Sequence, residues 1–212
     1  MDPRHYRTVQ VANIAAPGVG VTLSVAGLVI LLMRAFRHGD AWHVVSCIVY
    51  GTSLVASYAS FTLYHLLKFH KRWGQLFKII DHSAIYVLIA GTYTPFTLVY
   101  LRGEWGWTLF GSVWALTLGG ILFKVFFVHR FKVLAPLTYL FMGWLIVFAA
   151  RPAVERIPQG ALYLLLVGGL FYSSGLLFYA WKRLLFHHAI WHLFVLGGSI
   201  SHFLAVFYFV IP

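Results

Sequence analysis

Four side chains able to hold a metal ion or move a proton fall at the ends of apolar runs. His65 closes one run, Asp81 opens the next, and His188 and His192 open the last. His188 and His192 are four residues apart, so on a helix they stand one turn apart on one face. That is the spacing of two ligands to a single metal, and His65 on a facing helix would complete a set of three imidazoles. Zinc accepts three neutral imidazoles and leaves a fourth position for water. Asp81 could take a proton from that water or orient it. The competing reading is interfacial, because a lone histidine near a membrane surface commonly packs or meets headgroups, and the i, i+4 pair alone does not separate the two. Ionisable groups in membrane spans are costly, so convergence of several at one depth marks a functional site.

The elements that must position these groups are apolar and long. The chain has 212 residues, 61% hydrophobic and 10% charged. A soluble domain is roughly 45–50% apolar and about 25% charged. The expected fold class is therefore an all-α integral membrane protein, one seven-helix transmembrane domain over residues 1–212. A barrel would need alternating segments about half as long as these runs. Spans are expected near 15–33, 43–66, 80–100, 107–128, 134–150, 160–181 and 189–211. Polar breaks separate them at 34–40, 68–73, 102–104, 129–132, 151–158 and 182–183, and Pro152 and Pro158 are expected to stop the fifth helix. The amino-terminal stretch before the first run is too polar and too long for an ordinary cleaved signal, so that run is read as a retained helix.

With seven spans the connecting segments alternate sides. One side holds Arg4, Arg7, Lys68, Lys71, Arg72, Lys78, Lys124, Arg130, Lys132, Lys182 and Arg183; the other holds Arg34, Arg37, Arg102, Arg151 and Arg156. The positive-inside rule then predicts a cytoplasmic N-terminus, an outer C-terminus, and the four site residues near the cytoplasmic face of a multi-pass cell-membrane protein. The net charge of +11 is thus read as topology and headgroup contact rather than nucleic-acid binding. The expected partners are membrane lipids and a lipid-like substrate; nothing in the sequence speaks to oligomeric state. The single cysteine, Cys47, excludes an intrachain disulfide and a cysteine metal cluster.

Other polar and aromatic residues have lesser expected roles. His5, His38, His70, His129 and His187 fall in or beside loops and are expected to be solvated, and His43 begins the second span at its far end. His202 lies ten residues beyond His192, about 15 Å along a helix, too far to share its metal. A buried hydrogen-bonded role or a place on a cavity wall suits it. His82 projects about 100° from Asp81 and is a candidate outer group. Tyr86, Tyr93, Trp114, Trp144 and Trp191 are candidates for a lipid-sized cavity, or else for helix packing and interface belts. Pro95 should kink the third span, with Thr92 and Thr94 placed to satisfy carbonyls it frees. Gly119–Gly120, Gly168–Gly169 and Gly197–Gly198 would admit close helix approach, as would the pairs Gly20/Ser24 and Gly197/Ser201.

Several blocks carry a resemblance: Leu63-Tyr64-His65, the run from Asp81 through Thr94-Pro95-Phe96, Gly143-Trp144-Leu145, and His188 through Ser199 with His202. Weaker similarity runs through 120–124 and 178–183. Over nearly the whole chain the sequence resembles the hemolysin III family, the bacterial branch of the progestin and adiponectin receptor (PAQR) superfamily. The resemblance implies seven helices with the N-terminus inside and an intramembrane zinc held by His65, His188 and His192, with Asp81 near the water. It also implies likeness to metal-dependent lipid amide hydrolases that include alkaline ceramidases. Two departures stand out. Where family members carry a glutamate, an asparagine and a histidine before a glycine, this chain has Gln10, Asn13 and Pro17 before Gly18. Four residues before His65, where the family favours serine, it has Phe61 between Ser60 and Thr62. Asn13, Ser60 and Thr62, with His82 and His202, are therefore candidate outer or cavity groups.

Four functions remain open on these residues. One is a zinc-dependent hydrolase of a lipid amide or ester with Asp81 as base. A second is a non-catalytic receptor or regulator of membrane homeostasis with a structural zinc, which Pro17 and Phe61 favour. A third is a cytolytic pore, as the family name suggests, although no ring of charges or polar helix face lines a path. Haem ligation is the fourth: His188 and His202 are fourteen apart, but the position fourteen before His65 is Gly51.

Overall fold

The computed structural model describes residues 3–127, 130 and 134–212, with the side chains of 3–6 excepted. His129 and Lys132, and the side chains of Arg4 and His5, fall outside the described residues. The chain is helical almost throughout: α1 (Pro3–His38), α2 (Ala41–Leu67), α3 (Gly74–Pro95), α4 (Glu104–Phe127), α5 (Leu134–Gly143), α6 (Ala150–Arg156), α7 (Gln159–Ala180) and α8 (His187–Ala205). Among the described residues, seven helical segments are long and apolar enough to cross a membrane. The third is α3 with a π-helical turn, Phe96–Tyr100; the fifth is α5, a 3-10 turn at Leu145–Ala149, and α6; the seventh is α8 with a π-helical turn, Val206–Val210.

The elements begin and end for local reasons. Asp40 caps α2, accepting from the backbone N–H groups of Trp42 (2.8 Å) and His43 (3.1 Å), while His43 Nδ1 accepts from the Asp40 N–H at 3.1 Å. This reciprocal cap satisfies donors that a helix start leaves orphaned. Gly103 takes φ +130°, a conformation open to glycine, and so turns the chain into α4.

The helix boundaries depart from the sequence expectation at two places. The first helix starts at Pro3 instead of residue 15, because the polar amino-terminal stretch contains good helix formers and Pro17 is accommodated inside α1. The fifth span does not stop at Arg151-Pro152. It breaks earlier, at Gly143–Trp144, and resumes to Arg156. Pro152 lies in the first turn of α6, where its missing N–H has no intrahelical acceptor to lose. Pro158 instead precedes α7 as its N-cap. Lys78 and Lys124, counted with the connecting segments, lie within α3 and α4, and Lys124 is buried.

At Pro95 α3 gives way to the π turn, closed by the Leu101 N–H on the Phe96 carbonyl at 3.0 Å. Thr92 and Thr94 do not serve the carbonyl that Pro95 leaves free. Their hydroxyls donate to Leu88 O and Ala90 O (both 2.8 Å), each one turn back on α3. The two π turns meet at one end of the bundle, where the Tyr100 hydroxyl donates to Phe209 O.

Neighbouring helices run antiparallel, α1 to α2 to α3 to α4, and α8 lies against α1 and α7. The helices approach through most of the paired glycines, and in the 168–169 and 197–198 pairs both members meet side chains, Gly169 the Trp144 ring and Gly197 the Phe171 ring. Gly20 meets the Tyr58 ring, Gly120 the Tyr86 ring, Gly168 the His202 ring and Gly198 the Tyr172 ring, whereas Gly119 faces open space. These contacts fix the depth at which each polar side chain stands. The fifth span is the loosest, with only sparse contact to α7.

Candidate metal centre and adjoining cavity

The end of α2 and the start of α8 lie at the same end of the bundle, and this delivers the histidines to one place. His65 is three residues from the end of α2, and His188 and His192 occupy the first two turns of α8. One nitrogen from each of the three lies within 4.8 Å of the others. Ring centroids are 4.8 Å apart for His65–His188 and His188–His192, and 5.4 Å for His65–His192. The Nε2 atoms of His65 and His192 face one another at 3.3 Å. Both side chains are buried and His188 is half-buried.

These residues fit a tetrahedral metal ion. Zinc–imidazole bonds of about 2.0–2.1 Å place two ligand nitrogens about 3.3–3.4 Å apart, the separation found for His65 and His192. With their Nε2 atoms turned inward, the Nδ1 atoms of these two rings point away and have no hydrogen-bond partner. The donor set is all nitrogen. Lys68, one turn past His65 and beyond the span, has its ammonium pKa held below the usual lysine value by burial.

Asp81 is buried on the first turns of α3, at the same end of the bundle, but its carboxylate is not one of the clustered ligand groups. It is paired with its neighbour: His82 Nδ1 lies 3.2 Å from Asp81 Oδ2 and 2.8 Å from Lys78 O. Tyr139 holds the same stretch by donating to His82 O at 2.8 Å. Two tyrosines that stood in the sequence only as parts of the resemblance blocks border the histidines. Tyr64 packs against His65 and Tyr179 against His188, with centroids at 5.3 and 5.8 Å.

The other candidates divide. Asn13 is buried in α1 with an unpartnered Oδ1. Because α1 is antiparallel to α2, with Gly20 on Tyr58 and Leu28 on Gly51, Asn13 stands level with His65. Ser60 and Thr62 donate to carbonyls of their own helix, Ser57 O (2.8 Å) and Tyr58 O (2.9 Å), which leaves those protons committed locally. Phe61, noticed only as a departure, lays its ring against His192 with centroids 5.4 Å apart. His187, expected to be solvated, is half-buried with a buried, unpartnered Nδ1. His38 and His70 are exposed as expected.

Beside the histidines lies a small, partly open apolar cavity. Its wall is built from α2, α3, α5, α7 and α8 and includes Tyr93, Trp144 and Trp191. Tyr86 and Trp114 are not on that wall; they bond Thr138 Oγ1 (2.7 Å) and Thr94 Oγ1 (3.3 Å) in the packing of α3. His202 is buried against the cavity, with Nε2 3.1 Å from Leu165 O, as its distance from the histidine group required. Most polar groups of the wall are bonded within the protein: Tyr93 donates to Gly143 O (2.9 Å), Trp144 Nε1 to Ser173 Oγ (3.0 Å), and Tyr172 shares a bond with Ser199 (2.9 Å), while the buried His202 Nδ1 has no partner. The wall therefore presents mainly hydrocarbon to whatever enters.

Comparison with known proteins agrees with this architecture. The family profile described as "Haemolysin-III related" matches residues 6–203. "Hemolysin-3" of Bacillus cereus is 49% identical over 203 residues, 96% of this chain and 92% of that protein. "Hemolysin-3 homolog" of Bacillus subtilis (strain 168) is 48% identical over 202 residues, covering 95% and 94% of the two chains. The human "Monocyte to macrophage differentiation factor" is 28% identical over 172 residues, 79% of this chain and 71% of that one.

Proposed function

The chain belongs to the haemolysin-III-related family of multi-pass membrane proteins, and on that premise we propose that it is a metal-dependent hydrolase of a lipid amide or ester. The observation that carries the proposal is the convergence of His65, His188 and His192 beside an apolar cavity. Three neutral nitrogens suit zinc and leave a position open. A zinc ion there supplies Lewis-acid polarisation of a carbonyl and eases deprotonation of water.

The chain's own residues supply the rest. The cavity holds the acyl chain and excludes bulk water. His82, bonded to Asp81, orients its carboxylate. Asp81 takes up the proton of the attacking water and returns it to the leaving nitrogen or oxygen as the C–N or C–O bond breaks. The products are a fatty carboxylate and an amine or alcohol, with no change of oxidation state. The charge split across the connecting segments supports an N-terminus and a histidine group on the cytoplasmic side of the cell membrane.

A second reading has a specific observation behind it: Phe61 lies between cavity and histidines, as a receptor or regulator with a structural metal would allow. A cytolytic role rests only on the names of the two Bacillus relatives. Metal analysis of the purified protein, followed by turnover of ceramides and phospholipids with and without chelator, tests the proposal. Stoichiometric zinc with chelator-sensitive turnover is expected. Stoichiometric zinc with no turnover of either class would sink the hydrolase and leave the metal centre standing.

A further inference from the structure

We propose that Phe61 is a movable partition between the cavity and the histidine group, so that a long-chain amphiphile coming from the cavity must displace its ring to reach the metal position. The inference deepens the proposed function and rests on its metal site. Phe61, Trp191 and Val195 are on the cavity wall; His65, His188 and His192 are not. Phe61 is the wall residue whose ring lies against a member of the histidine group, tilted 43° to His192. It stands one turn before His65 on α2, on the face turned toward α8.

The ring is held on one side and open on the other. Tyr58 meets it edge-on at 5.8 Å and is itself anchored through its hydroxyl on Ser199 Oγ at 2.8 Å. Its other side borders the cavity. A phenyl ring makes no hydrogen bond, so moving it breaks none. When closed, it keeps hydrocarbon from buried imidazoles and blocks a carbonyl coming from the cavity. A chain entering the cavity presses on the ring's cavity side, so selection falls on the acyl chain that displaces it.

The test compares wild type with Phe61→Leu, Phe61→Ala and Phe61→Trp. On cobalt(II)-loaded protein, visible absorption follows binding of palmitoyl hydroxamate and of water-soluble acetohydroxamate. Palmitoyl hydroxamate should bind on the order of tenfold faster in Phe61→Leu, faster still in Phe61→Ala, and more slowly in Phe61→Trp, with acetohydroxamate changed by less than about twofold. On metal-free protein, a palmitoyl amide carrying a diazirine beside its carbonyl is cross-linked and mapped by mass spectrometry. Wild type should label Phe61, Trp191 and Val195 ahead of the histidines, and the smaller variants should label His65, His188 and His192 several-fold more heavily than wild type does.

Equal long-chain rates across the series, equal acceleration of both hydroxamates, or histidine labelling as heavy in wild type as in Phe61→Ala overturns the partition. If Phe61→Ala fails to fold, Phe61→Leu retains most of the buried volume and carries the comparison. Label that shifts in protein that takes up no cobalt would sink the metal site and leave the partition. Cobalt binding with no shift does the reverse.

Discussion

Removing His65 should abolish the thermal stabilisation that zinc confers, and removing His202 should not. His65 comes from the end of α2 and His192 from the start of α8, 127 residues away, with Nε2 atoms 3.3 Å apart. An ion shared by them ties two helix ends that otherwise run out into connecting segments. If free zinc is held near 1,000 times its dissociation constant, mass action stabilises the folded state by about 4.1 kcal/mol. For a chain of this size each kcal/mol moves the melting temperature by about 2–4 °C, so the expected shift is about 8–16 °C.

His65→Ala leaves two ligands on one turn of α8 and no link to α2, and the shift should fall to a small part of that range. His202→Ala lowers the metal-free melting temperature, because it removes the bond to Leu165 O (3.1 Å) and leaves space against Gly168. Its zinc-induced shift should nonetheless stay within about 2 °C of wild type, the effect of less than ~1 kcal/mol. The assay is a thermal melt of detergent-solubilised protein, chelated and then titrated with zinc. A full shift in His65→Ala, or its loss in His202→Ala, would refute the reasoning.

Asp81→Asn should keep zinc occupancy but lower lipid turnover by about 10²–10⁴-fold, the usual contribution of a positioned proton acceptor; unchanged turnover would remove Asp81 from the chemistry. Asp40→Ala should cost about 1 kcal/mol through loss of the α2 cap. The hydrogen bond from the His43 backbone N–H holds the Asp40 carboxyl below its ordinary value; desolvation opposes it, and bonds from the His43 side chain and the Trp42 N–H add to the lowering. Its stabilisation is therefore complete above the ordinary carboxylate value of about 3.9 and is lost as the pH falls through the lowered one; the melts of variant and wild type should differ at neutral pH and converge at strongly acid pH. Gly20→Val should force α1 from the Tyr58 ring and destabilise by about 1–3 kcal/mol in a denaturant titration, as overpacking does.

Residue types and their periodicity determined much of this protein. Apolar runs near 20 residues admit only helices in a bilayer, so seven spans were legible in composition alone. The four-residue interval between His188 and His192 required a shared helix face, and the ten-residue interval to His202 required a separate place. Alternation of spans brought His65, Asp81 and His188 to one end because depth follows from counting residues.

Lateral arrangement was another matter. Nothing in one dimension says that Asp81 bonds His82 rather than joining the histidines, that Ser60 and Thr62 spend their protons on their own helix, or that Tyr64 and Tyr179 flank the site. Those outcomes depend on which faces meet, and faces are chosen by packing, such as Gly20 against Tyr58 and Gly168 against His202. Pro152 misled for a related reason, since proline stops a helix interior but suits a first turn, and only the break at Gly143–Trp144 decided which it was. Phe61 shows the division most directly. Its identity was plain in the sequence, but its place between an apolar cavity and a polar triad exists only once α2, α3 and α8 are packed together.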